Sequence, residues 1–255
     1  MKHIAVILAG GRGSRLGGET PKQLLPLEDG RTILEHAVDA FEQAACIDEI
    51  AIVMIPGYTA DVDALCRKNG WKKLKRILAG GSERWESSWN AIQAFSCQNS
   101  EVLSQGNDYF RSQTSDICLW LHDAARPFVS QRILDDVAKA LETHKAVTVA
   151  VPVTDTLYKV ESLGLRVERS LKVESIPSRA EFMRAQTPQA FHLDVLKKAF
   201  ERALKQGEVA ATDDVGIVHA FMPEIPIFIV RGDEANKKIT YKEDLNGCMG
   251  EWMNG

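Results

Sequence analysis

Gly10, Gly11 and Gly13 follow an apolar run from Ile4 to Leu8, and two cations, Arg15 and Lys22, lie just beyond them. Glycine lets a backbone approach a ligand closely, and successive N–H groups in such a turn can hold phosphate oxygens. Arg15 and Lys22, the latter after Pro21, would then neutralise a triphosphate during phosphoryl transfer. By themselves the glycines equally suit an ordinary strand-to-helix turn, and the cations a solvated surface pair. The loop is neither a Walker loop ending in Gly-Lys-Ser/Thr nor a G-x-G-x-x-G fingerprint, so ATPase and dinucleotide readings lose ground. A carboxylate completes the set. Ile117 to Leu121 is apolar and β-prone and runs into His122-Asp123-Ala124-Ala125-Arg126-Pro127, which puts Asp123 at a strand's carboxyl end. Open α/β sheets bind ligands along that edge, although an aspartate there can also cap a helix.

Such residues need a scaffold of alternating strands and helices. Ile4 to Leu8, Glu49 to Ile55, a short run near Arg76 to Leu78, Ile117 to Leu121, Ala146 to Val151 and Ile227 to Val230 read as strands. Helical spacing marks Thr32 to Ala44, Asp61 to Asn69, Trp85 to Phe95, Leu193 to Leu204, Asp214 to Ala220 and the tail from Lys242. The alternation predicts an α/β protein with a mostly parallel sheet, as a single domain over residues 1–255. Ser96 to Ser115 is polar and aperiodic, the pattern of a surface excursion. Val153 to Pro177 alternates apolar and charged residues around Gly164, as an exposed β-arm does. A two-stranded ribbon is marginal alone, so the arm, about residues 153–178, is expected to pack on a second subunit as a homodimer contact.

The 255 residues are 45% apolar and 26% charged, with a net charge of −4 and both signs interspersed, so no nucleic-acid surface is expected. No stretch approaches a membrane span, and the N-terminal apolar run is too short for a signal peptide. Five scattered cysteines without a C-x-x-C pair point away from disulfides and zinc and toward the cytoplasm. His122 lacks spaced metal-binding partners and reads as packed, and Trp85 and Trp89, four apart on a helix, read as core.

Leu8-Ala9-Gly10-Gly11-Arg12-Gly13-Ser14-Arg15-Leu16 with Pro21-Lys22-Gln23 resembles the signature of nucleotide-sugar pyrophosphorylases, which share a Rossmann-like nucleotidyltransferase fold. Gly80-Gly81-Ser82-Glu83-Arg84, His122 to Pro127, Asp155-Thr156, Gln186 to Phe191, Thr212-Asp213-Asp214 and Lys238-Ile239-Thr240 follow in order. Together they resemble the 2-C-methyl-D-erythritol 4-phosphate cytidylyltransferase family.

That resemblance implies CTP and a polyol phosphate as substrates and Mg²⁺ as cofactor. It implies Arg15, Lys22 and Lys238 as catalytic cations on the phosphates, and Asp123 as the metal ligand with Asp233 as a second carboxylate. Backbone groups of Ala9, Gly10 and Gly81 would read cytosine, with Ser87 and Ala124 beside the nucleotide and Gly11 and Gly13 in its loop. Thr156, Arg179 and Thr187 would grip the acceptor, and the arm would cross to the partner subunit. Thr187-Pro188-Gln189 suits a structural turn as well. Ile176-Pro177-Ser178-Arg179-Ala180 resembles the arm of a sister family that makes CDP-ribitol from ribitol 5-phosphate, whereas Ala124-Ala125-Arg126 and Ser87 lean toward methylerythritol phosphate. The Asp-Ala-Ala-Arg-Pro and Gln-Thr-Pro-Gln motifs argue against a hexose 1-phosphate enzyme using UTP or dTTP. Retention of Arg15, Lys22, Asp123 and Lys238 argues against an inactive binding module.

Overall fold

Branched apolar side chains make Ile4 to Leu8 the centre of strand β1 (Lys2–Ala9), and this strand is buried on both faces. Ala5, Ile7 and Ala9 enter one core layer, while Ile4, Val6 and Leu8 enter the other, which is the two-residue period of a central strand. A computed structural model gives the fold and describes residues 1–11, 20–96, 116–161, 172–207 and 211–245.

After β1 come α1 (Ile33–Gln43), β2 (Glu49–Met54), α2 (Thr59–Asn69), β3 (Leu74–Ala79), α3 (Arg84–Ser96), β4 (Ile117–Asp123) and α4 (Gln131–Leu141). They are followed by β5 (Ala146–Pro152), β6 (Lys159–Val160), β7 (Val173–Ser175), β8 (Met183–His192), α5 (Leu193–Gln206), α6 (Asp214–Phe221) and β9 (Phe228–Arg231). The main sheet runs β3-β2-β1-β4-β8-β5-β9. Only β8 is antiparallel to its neighbours, so the other six strands end at one edge. Helices α1, α2 and α4 cover one face, and α3, α5 and α6 the other. This is the expected α/β architecture.

Two elements depart from the sequence reading. Helix α4 is absent from that reading, although Ser130 caps it by accepting from the Ile133 N–H and its inward side is Ile133, Leu134, Val137 and Leu141. Thr187-Pro188-Gln189, for which the sequence also allows a turn, lies inside the central strand β8. Proline there has no N–H for a ladder, and the β5 register accommodates it by slipping from the Thr148–Gln189 pair to the Val149–Gln186 pair. The Thr187–Pro188 bond is cis.

Strands β6 and β7 form a separate two-stranded ribbon, all of it exposed, at the position expected for the arm. The turn around Gly164 and the polar excursion beyond Ser96 fall outside the described residues. Beyond Leu245 the helical tail also falls outside them, and a 3-10 turn spans Lys242–Leu245. Among the described residues no helix is long and apolar enough to cross a membrane, and no group of three or more His, Cys, Asp or Glu side chains is placed to hold a metal.

Candidate active site

The carboxyl ends of β1 to β4 converge on a cavity of about 670 Å³, lined by Gly10, Gly11, Lys22, the 80–84 turn, Asp123 and Lys238. Small residues let three chain segments meet there. A Cβ on Gly10 would sit 3.0 Å from the Ser87 hydroxyl, and one on Gly80 would sit 3.3 Å from the Met54 carbonyl. The buried Ser87 hydroxyl accepts from the Gly81 N–H at 3.1 Å. The Glu86 carboxylate accepts from the Ser82 N–H at 2.6 Å, the Ser82 hydroxyl at 2.7 Å and the Glu83 N–H at 3.2 Å. The turn is therefore tied to the first turn of α3.

Gly81 has no room for a side chain, because an added Cβ would overlap the Glu86 stem that holds the turn. Gly81→Ala is expected to displace the turn and raise the KM for CTP about tenfold, roughly 1.4 kcal/mol of lost binding, with a smaller change in kcat. An unchanged KM in a CTP titration would remove this turn from nucleotide binding.

Asp123 holds the opposite wall. Its Oδ2 accepts from the Lys238 ammonium at 2.6 Å and its Oδ1 from Arg84 Nε at 3.3 Å, while Arg84 Nη1 turns to Asp214 at 2.6 Å. Burial alone would raise the Asp123 pKa, but Arg84 first and Lys238 next outweigh it and hold the carboxyl well below the usual range. Burial opposes the charge on Arg84 too, yet Asp214 and Asp123 push its pKa upward. Both groups stay ionised at neutral pH.

Behind the carboxylate runs a chain of hydrogen bonds. The Asp123 N–H donates to the Thr187 hydroxyl at 3.2 Å, that hydroxyl meets His122 Nδ1 at 3.1 Å, and His122 Nε2 meets the Arg126 carbonyl at 2.9 Å. A carbonyl only accepts, so the proton sits on Nε2 and Nδ1 accepts from Thr187. Burial pushes the His122 pKa down to about 4, which keeps the ring neutral as this pattern requires. Arg126 donates to the Asn236 carbonyl at 2.8 Å, and the Ile239 N–H donates to the Ala125 carbonyl at 2.8 Å. These bonds fasten the segment that carries Lys238 across the end of β4.

Lys22 enters from a 3-10 turn, Lys22–Leu24, after Pro21. Its ammonium donates to the Ile239 carbonyl at 3.1 Å, and the buried Gln23 side chain donates to the Gly11 carbonyl at 3.1 Å. Two lysines and one arginine thus line a glycine-floored cavity with the carboxylates Asp123 and Glu83, and the three cations suit a polyphosphate and displacement at phosphorus.

The family model described as IspD, 2-C-methyl-D-erythritol 4-phosphate cytidylyltransferase, matches residues 3–249. The chain belongs to this cytidylyltransferase family. A relative of that name from Thermobifida fusca is 40% identical over 243 residues, covering 94% of this chain and 89% of its own length. A bifunctional ribulose 5-phosphate reductase/CDP-ribitol pyrophosphorylase from Haemophilus influenzae is 36% identical over 244 residues, 96% of this chain but 47% of that protein. The 4-diphosphocytidyl-2C-methyl-D-erythritol synthase of Anaerococcus prevotii shares the fold, with a TM-score of 0.76 at 24% identity over 99% of this chain and 96% of that one. The cytidylyltransferase of Thermus thermophilus superposes with a TM-score of 0.67 at 27% identity, covering 99% of this chain and all of that one.

Within this cytidylyltransferase the structure brings together Gly10, Gly11, Lys22, Gly81, Ser87, Asp123 and Lys238 around one cavity. Arg15 and Gly13 lie outside the described residues. Ala9 and Ala124 are buried beneath the wall, Ala9 in the β1–β2 ladder and Ala124 donating its N–H to the Leu8 carbonyl at 3.0 Å. Two assignments, Thr187 and Asp233, need correction. Thr187 is buried, and its hydroxyl is taken by Asp123 and His122, so it holds the carboxylate rather than facing a ligand. Asp233 does not line the cavity; its Oδ1 accepts from the Ala235 N–H at 2.9 Å and its Oδ2 lies 3.8 Å from Arg132. Thr156 and Arg179 are exposed at the arm's base, where Arg179 donates to the Thr154 carbonyl, and neither lines this chain's cavity.

Arg84, Asp214, Gln23 and Asn236 are site residues that the sequence reading does not single out. A signal exists for the first three: Arg84 closes Gly80-Gly81-Ser82-Glu83-Arg84, Asp214 closes Thr212-Asp213-Asp214 and Gln23 closes Pro21-Lys22-Gln23.

Proposed function

We propose that the chain transfers a cytidylyl group from CTP to 2-C-methyl-D-erythritol 4-phosphate and releases pyrophosphate. The observation that carries this reading is the Asp123 carboxylate held between Arg84 and Lys238 on the wall of the cavity that Lys22 enters. An acceptor phosphate oxygen attacks the α-phosphorus, the bond to the β-phosphate oxygen breaks, and pyrophosphate leaves in line. No protein nucleophile is needed, so positioning and charge neutralisation by Lys22 and Lys238 supply the rate.

The donor set fits a Mg²⁺ ion. That ion takes one or two protein carboxylates and completes its shell with phosphate oxygens and water, and Asp123 is a hard oxygen donor at the cavity wall. A bound Mg²⁺ would neutralise phosphate charge. Asp123 would hold it, while Lys238 and Arg84 keep that carboxylate ionised and oriented.

The arm supports a homodimer reading. Tyr158, Val160, Val173 and Ile176 are all exposed apolar residues on a ribbon too short to stand alone, and a partner subunit would cover them. Thr156 and Arg179 would then serve the partner's acceptor pocket. The 36% identity to the Haemophilus influenzae protein favours ribitol 5-phosphate as a second acceptor reading. Mg²⁺-dependent pyrophosphate release from CTP, with methylerythritol 4-phosphate and ribitol 5-phosphate offered separately, tests both. Preference for ribitol phosphate would overturn the acceptor and keep the nucleotide chemistry. Release with neither would overturn both.

A further inference from the structure

The Asp123 carboxylate is aimed by more than its own strand. Arg84, the first residue of α3, reaches it with Nε at 3.3 Å and turns Nη1 onto Asp214 Oδ2 at 2.6 Å. Asp214 has no exposed surface, and among the described residues its Oδ1 has no hydrogen-bond partner. A fully buried carboxylate with one oxygen unmet is a costly group to keep.

Its helix does not need it. Asp213 caps α6 by accepting from the Gly216 N–H at 2.8 Å, and Gln189 of β8 docks the same end through Asp213 Oδ2 at 2.7 Å and the Val215 N–H at 3.3 Å. What Asp214 does hold is Arg84, a cavity-lining side chain whose long stem would otherwise sample several rotamers. Clamped at Nη1, the guanidinium presents Nε to Asp123 in one direction before any nucleotide arrives. Unclamped, it would be drawn to the phosphates and leave Asp123 with Lys238 alone.

We propose that Asp214 is a positioning residue for nucleotidyl transfer, acting through Arg84 to fix the orientation of Asp123 at the cavity wall. The inference rests on the cytidylyl-transfer reading and adds a residue of α6, remote in sequence from the glycine loop, to its machinery.

Kinetics of Asp214→Asn, Arg84→Lys and the double variant test it. Asp214→Asn is expected to lower kcat about tenfold or more while the KM for CTP stays within about threefold, since ground-state contacts persist and alignment is lost. Arg84→Lys keeps a counter-charge for Asp214 but cannot span two carboxylates, and it should lose a similar factor. The double variant should be no worse than the poorer single one. Multiplying losses, or a fall in CTP affinity with kcat intact, would overturn the proposal. Should Asp214→Asn fail to fold, Arg84→Lys decides alone, because wild-type kcat in that variant is incompatible with a bridging guanidinium.

A second readout is independent of turnover. The Arg84 Nε–H resonance, assigned by its absence from Arg84→Lys, should exchange slowly with water in the native protein and be lost in Asp214→Asn. Persistence of the signal in that variant overturns the positioning role. If the native protein turns over neither acceptor, the functional reading fails while this resonance still decides the geometry.

Discussion

Asp123→Asn is expected to lower pyrophosphate release roughly a thousandfold while the protein still folds. The side chain sits where two cations converge, with Lys238 at 2.6 Å and Arg84 at 3.3 Å. Asparagine is isosteric but offers one acceptor oxygen and an N–H₂ group, so it satisfies one cation and turns donors toward the other. It also removes the hard anionic oxygen that would hold Mg²⁺. Folding suffers less, because Arg84 retains Asp214 and the half-exposed Lys238 can turn to water. A stability loss of about 1 to 2 kcal/mol is reasonable for such a pair. The pH dependence gives a second check. The native Asp123 pKa lies below its unfolded value, so this stability is present above about pH 4 and is lost as pH falls through the native pKa. Thermal unfolding curves of native and variant proteins should therefore separate at neutral pH and converge in acid. Turnover within threefold of native would remove Asp123 from the chemistry. Collapse of the fold would make its role structural.

The sequence discloses the parts of this site that depend on local pattern. A β-prone run ending in glycines locates the mouth of β1, and a similar run ending at Asp123 locates the mouth of β4, because strand ends are written in consecutive residues. Strand β8 is harder to see. Pro188 argues against a central strand wherever the ladder is regular, and only the slipped register against β5, a tertiary feature, makes room for it. Thr187, which the resemblance assigns to the acceptor and a turn would equally suit, is turned inward by that strand. In a turn its hydroxyl would face solvent, whereas in β8 it lies against β4, between the Asp123 N–H and the His122 ring. Arg84 and Asp214 are invisible as a pair because 130 positions separate them, and no local period links the start of α3 to the start of α6. Both stand at helix starts near one sheet edge, which only the topology places together.

Lys22→Ala is expected to reduce kcat/KM for CTP about a thousandfold, of which roughly a hundredfold should appear in kcat. The ammonium lines the cavity and donates to the Ile239 carbonyl at 3.1 Å, one residue beyond Lys238. The two lysines therefore approach the same space from opposite ends of the chain. Pro21 restrains the backbone before Lys22, and the buried Gln23, bonded to the Gly11 carbonyl, anchors the residue after it. A cation on so fixed a base needs only its flexible stem to move from a carbonyl to a phosphate oxygen, so little reorganisation accompanies binding. Charge that builds on the leaving pyrophosphate is then met by a group already in place, which is why kcat and not only KM should fall. Lys22→Arg should recover part of kcat/KM, since the charge returns on a bulkier planar head. An effect confined to KM would mean that Lys22 holds the triphosphate equally in ground and transition states, leaving Lys238 as the described lysine that meets the developing charge.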